Sequence, residues 1–239
     1  MDTVICKLLT RHYLSKKESK LTIEELAEQF LFVKRLMRYE FVEIPRKVPD
    51  EAYKQLIAER LNILQSFGEL TVNKQTGEIN LNHDLLKNIN KRTSFSYLYF
   101  FTELLSHLWD TYLLVGIGLQ ELSSAGYVIK ETRLVEEIHK AAKALYEEGI
   151  LPNLFCCLTD TIRTAMHRMA HLKMAEIRSY STEQSSRISF ISSDYKRIKN
   201  LEEATAVFIE AQDYSESQMD RIREVIEEAV KNAVVTHII

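Results

Sequence analysis

Apolar residues recur at three- and four-residue steps along most of the chain. Between Thr22 and Phe41 they fall at Ile23, Leu26, Ala27, Phe30, Val33, Met37 and Phe41, which lie along one stripe of a helix. Thr22 and Glu25 have the spacing of a capping box, and Leu21 with Leu26 that of a hydrophobic staple across the same helix start. Pro45 and Pro49 close this segment. A second helix is predicted from about Asp50 to Phe67, with Leu56, Ile57, Leu61 and Leu64 inward and Gly68 as its stop. ELTVNKQTGEINL then alternates about Asn73–Gly77, the pattern of a β-hairpin.

The second half repeats this plan. One long helix is predicted over about 95–122 and another over about 131–147, with Leu134, Ile138, Ala141, Ala142 and Leu145 on one face and Gly149 at its stop. A third, about 159–172, turns Ile162, Ala165, Met166 and Met169 inward, and MAEIRSY and RISFI follow as two candidate strands. The last helix, about 216–236, places Met219, Ile222, Ile226, Ala229 and Ala233 on a face that needs a partner, on its own domain or on another chain. The predicted fold is therefore mainly α: two tandem winged-helix-like units, each of helices plus a small β-hairpin, and a C-terminal amphipathic helix. The expected boundaries are 1–92, 93–200 and 201–239.

Composition narrows the class. Of 239 residues 46% are hydrophobic and 27% charged, and only 6 are Gly and 3 Pro, so the chain is built from long helices and not from turns or disorder. The net charge of −3 argues against a dedicated nucleic-acid binder. The stretch from Leu158 to Asn200 is richer in Lys and Arg than in acids, and the stretch after it reverses the balance. Three cysteines, Cys6, Cys156 and Cys157, make no disulfide framework and point to a reducing compartment. The start lacks the apolar core of a signal peptide. Tyr97 to Leu119 is the nearest approach to a membrane span, but Glu103, His107 and Asp110 interrupt it, and it reads as a buried core helix.

Candidate chemistry is sparse. His167 and His171 share a helix face and could hold a metal, with Cys156, Cys157 and Asp160 as further ligands if the fold gathered them; two polar surface histidines are the simpler reading. His107 and Asp110 could form a base pair in the general-base sense, or two satisfied polar groups in a helical core. Arg163, His167, Arg168 and Lys173 could make a recognition helix that meets phosphates, although Met166 and Met169 lie on the buried face. No nucleophile elbow, Walker loop or dinucleotide fingerprint appears.

The run LLSHLWDTYLLVGIGLQEL, followed by RLVEEIHKAAKALYEEGILPNLFCCLTDTIRTAMHRMAHLKMAEIR, resembles the C-terminal region of the glycerol-3-phosphate and dihydroxyacetone-phosphate acyltransferase family. The similar features are helices around Asp110–Tyr112 and ending at Tyr146, a C-x-x-D turn at Cys157–Asp160, and a helix through Ala165–Met166 leading into a strand. The resemblance covers about 95–191; LLTRHY and LAEQFLFVKRLM resemble the segment that follows the catalytic domain. That family transfers acyl groups with an H-x-x-x-x-D motif. Here the residues five after each histidine are Lys17, Asn88, Tyr112, Ala144, Leu172 and Glu176, and His237 lies too near the end.

No catalytic, cofactor or metal residue is therefore carried over. The resemblance implies a non-catalytic module that packs through apolar helix faces on an acyltransferase domain or other subunits. It also implies a membrane-surface setting, peripheral at a mitochondrial or other organelle membrane. Arg163, Arg168, Lys173 and Arg178 are the expected contacts to an anionic surface. The competing expectation is a tandem winged-helix adaptor for a protein complex or nucleic acid.

Overall fold

The computed structural model describes residues 1–15, 20–37, 49–82, 96–181, 187–192, 201–202, 205–206 and 214–235. The chain divides into two compact units, Met1–Ser106 and His107–Ile239.

The first unit runs α1 (Asp2–Ser15), β1 (Leu21–Thr22), α2 (Ile23–Leu36), α3 (Asp50–Ser66), β2 (Leu70–Val72), β3 (Glu78–Leu81) and α4 (Tyr97–Leu104). Thr22 closes the expected capping box with Glu25, each side chain meeting the other's backbone N–H. Leu26, Phe30 and Val33 of α2 join Val4, Ile5, Leu8 and Leu9 of α1 and Tyr53, Ile57 and Leu61 of α3 in a core sealed from water. Helix α2 ends at Leu36 with Met37 as its C-cap, short of the expected Phe41; Phe41 and Pro45 lie outside the described residues. Gly68 sits in the left-handed region and ends α3, its N–H reaching the Gln65 carbonyl while Glu69 N–H reaches Leu64.

The second unit repeats the order: α5 (Ser106–Ala125, all but its first residue), β4 (Val128–Lys130), α6 (Glu131–Glu147), a 3₁₀ turn (Leu154–Cys157), α7 (Thr159–His171), β5 (Glu176–Ser181), β6 (Arg187–Ser192) and α8 (Glu216–Val235). Each unit holds one antiparallel three-stranded sheet in which the strand after the first helix pairs with the second strand of the hairpin, giving the orders β1-β3-β2 and β4-β6-β5. Strands β1 and β4 went unforeseen because two or three residues carry no readable alternation. Helix α1 was not assigned from the sequence either.

The helix expected over 95–122 is two helices. It breaks at Leu105, where the Ser106 hydroxyl donates to the Glu103 carbonyl and competes with the helical ladder. The apolar pattern runs unbroken through this point, so periodicity gave no sign of it. Helix α4 belongs to the first unit. The Glu69 carboxylate accepts from Ser96 Oγ at 2.9 Å and from the Tyr97 N–H at 3.0 Å, a negative group at a helix N-terminus. Residues 108–119 of α5 are buried, as expected of a core helix, and among the described residues no helix is long and apolar enough to cross a membrane.

Helix α8 packs along α6 through Met219, Ile222, Ile226, Ala229 and Ala233, so its apolar face is covered within its own unit. Gly116 and Gly118 make room for this packing on α5. A Cβ at Gly118 would stand 3.1 Å from Ile138 Cδ1, and one at Gly116 would stand 2.5 Å from Thr205 Oγ1.

Candidate functional site

The polar residues of the second unit fall into three places. The first is the surface of α7 and β5, where the anionic-surface contacts were expected. Arg163 is half exposed and lies against acids: Nη1 is 3.2 Å from Asp160 and Nε 3.8 Å from Glu131. Lys173 is exposed, and Arg178 is exposed with Nε 2.7 Å from Glu176. Arg168 does not join them. It is 4% exposed, on the flank of the Ile162–Ala165–Met166–Met169 stripe, and its guanidinium is part of the interior. Position along the chain placed it with its basic neighbours; helical geometry turns it away.

Of the four residues expected on a recognition helix, Arg168 is buried and Arg163 lies against two carboxylates. His167 Nε2 lies 2.8 Å from Oε1 of Glu131, a carboxylate buried at the start of α6. His167 and His171 border a shallow open depression with Lys173 and Glu176. Among the described residues no three metal-ligating side chains converge. Lys173 adopts φ +63°, closing α7 with N–H bonds from Lys173 to Ala170 and from Met174 to Met169.

The second place is the polar interior of α5. Asp110 is fully buried and its Oδ1 accepts a hydrogen bond from Tyr214 Oη at 2.7 Å. His107 meets the ring of Phe155 edge-on, with centroids 6.1 Å apart, and burial pushes its pKa below the usual imidazole value. Asp110 is thus bonded to a partner 104 residues away in the chain. Sequence spacing found both residues but had no signal for Tyr214.

The third place is the turn between α6 and α7, which spacing singled out only for its cysteines. Thr111 Oγ1 lies 2.9 Å from the His107 carbonyl and 3.2 Å from that of Cys156, and His139 Nδ1 donates to the Cys157 carbonyl at 2.6 Å. All three cysteines are free and buried. Burial raises the thiol pKa of Cys156, with Cys157 and Asp110 adding to the shift. On the same turn Leu154, Phe155 and Leu158 point outward.

These features define a class: a mainly helical chain of two similarly ordered units, each with one small antiparallel sheet. The family is specific. Residues 3–178 match the glycerol-3-phosphate acyltransferase C-terminal region, and the chain belongs to that family. The match reaches further towards the N-terminus than the resemblance over 95–191, taking in nearly all of the first unit and stopping within β5. The comparison with curated proteins finds no match.

Proposed function

We propose that this chain serves glycerol-phosphate acyl transfer, the first step of glycerolipid synthesis, as a non-catalytic module. It packs through apolar helix faces on an acyltransferase domain at a membrane surface, in a reducing compartment such as the mitochondrial or another organelle's periphery. The match over 3–178 to a C-terminal region of such enzymes carries this reading. One fact supports the non-catalytic part: none of the residues five after His12, His83, His107, His139, His167 and His171 is Asp. The purified chain is expected to leave acyl-CoA and glycerol 3-phosphate unchanged. A tagged chain recovered from gently solubilised native membranes is expected to bring acyltransferase activity and an H-x-x-x-x-D polypeptide with it. Acyl transfer by the chain alone would overturn the reading.

A second reading, a tandem winged-helix adaptor, draws support from element order. Each unit runs helix, strand, helix, helix, strand, strand, with the sheet in the order first, third, second. A gel shift at low salt tests its nucleic-acid form; absence of a shift excludes it.

A further inference from the structure

The 3₁₀ turn Leu154–Cys157 and the Leu158 that follows it hold three large apolar side chains in water. Leu154 is 53% exposed, Phe155 61% and Leu158 51%. The backbone that carries them is fixed. The Asn153 side chain accepts from the Phe155 N–H at 3.0 Å, and the carbonyl of Cys157 accepts from His139 of α6 at 2.6 Å. Cys156 and Cys157 point inward while their neighbours point out.

From this turn we infer a membrane-inserting tip: Leu154, Phe155 and Leu158 enter the interfacial region of a lipid bilayer. The area selects the occupant. Three side chains at about half exposure offer on the order of 300 Å², well below the roughly 800 Å² per partner of a stable protein interface. Shallow insertion into lipid works with small apolar areas. Charge selects the mode. Asp160 pairs with Arg163 at 3.2 Å, and Lys143 of α6 pairs with Glu147 at 3.8 Å, so the charges beside the turn balance. Insertion is then driven by apolar contact and resists salt, unlike attraction of a basic face to anionic headgroups. The inference rests on the membrane setting proposed above, but it is read out by lipid binding and not by acyl transfer.

The test is flotation of the full chain with small phosphatidylcholine vesicles, at salt from about 0.05 to 0.5 M. The chain is expected to float at both ends of that range. Phe155→Asp, and the pair Leu154→Asn with Leu158→Asn, are expected to reduce partitioning at least about tenfold while circular dichroism and melting stay unchanged. Phe155→Trp supplies a second readout. Its emission is expected to be quenched by brominated phosphatidylcholine, whereas Trp109, the sole native tryptophan and fully buried, is not. A chain that fails to float, floats only at low salt, or floats equally well with the turn altered overturns the inference. Loss of binding to a purified acyltransferase domain by the turn variants, with no flotation of the native chain, gives the turn to a protein partner instead. Failure of the acylation experiment with flotation intact removes the acyltransferase reading and leaves this one standing.

Discussion

Tyr214 donates a 2.7 Å hydrogen bond to Asp110, tying the residue just before α8 to a carboxylate in the middle of α5. Asp110 has no exposed surface, so loss of this donor leaves part of a buried charge unsatisfied. Tyr214→Phe is expected to cost about 1–3 kcal/mol. Urea unfolding measures it, and the double variant with Asp110→Asn is expected to recover part of the loss because the charge is gone. A cost for Tyr214→Phe indistinguishable from zero would show that the bond is not made in solution.

Stability is expected to fall on both sides of neutrality. Burial raises the thiol pKa of Cys6 and Cys156 above the ordinary 9.0 and the Tyr214 phenol above 10.0. For groups raised in the fold, stability is intact below those ordinary values and is lost as pH climbs above them, since the unfolded chain ionises first. On the acid side, burial lowers His107 from 6.5, so its contribution is present above that pH and declines below it. Urea midpoints from pH 5 to 10.5 check both limbs. Cys156→Ala with Tyr214→Phe is expected to flatten the alkaline limb, and His107→Gln the acid one.

An exposed helical glycine replaced by alanine gains about 1 kcal/mol from propensity. Gly116→Ala is expected to do the reverse and destabilise by about 1–3 kcal/mol, because its Cβ would stand 2.5 Å from Thr205 Oγ1 and 3.2 Å from Cγ2. Adding Thr205→Ala removes both atoms, and the two changes are expected to be markedly non-additive in a double-mutant cycle.

Two basic residues five apart are expected to respond in opposite directions. Lys173 stands in the left-handed position that glycine fills at Gly68 and Gly149, so Lys173→Gly is expected to stabilise by about 1 kcal/mol. Arg168→Glu reverses the sign of a buried charge and strands its present partners, and is expected to cost about 3 kcal/mol or more. Thermal melts of the two variants decide it. A vesicle-binding defect in Arg168→Glu would accordingly report unfolding and not a lost surface contact, while Arg163→Glu and Lys173→Glu remain fair probes of the basic face.

Much of the local build was written in residue order. The box at Thr22 and Glu25, the glycine stop at Gly149 and the Asn73–Gly77 turn need only neighbours a few residues apart, and each formed as expected. The turn at Asn73 is closed by its own side chain, whose Oδ1 accepts from the backbone of Gln75 and Thr76. The break at Leu105 was invisible because large apolar residues continue on both sides of it, Phe100, Phe101 and Leu104 before and Leu108, Trp109 and Tyr112 after.

Periodicity, caps and composition determined that the chain is helical, that hairpins follow helices in both halves, and that the stripes on α2, α6, α7 and α8 face inward. The capped spacing of these residues allows little else. What the tertiary structure decided are relations between distant residues. They include Tyr214 on Asp110, His167 on Glu131, Thr205 against Gly116, and the two short strands that exist only because a hairpin edge lies beside them. The same holds for exposure. Arg168 looks from its sequence like a surface cation, yet it is buried, while Phe155 stands exposed. Burial depends on what packs from elsewhere in the chain, and no window of neighbouring residues contains that information.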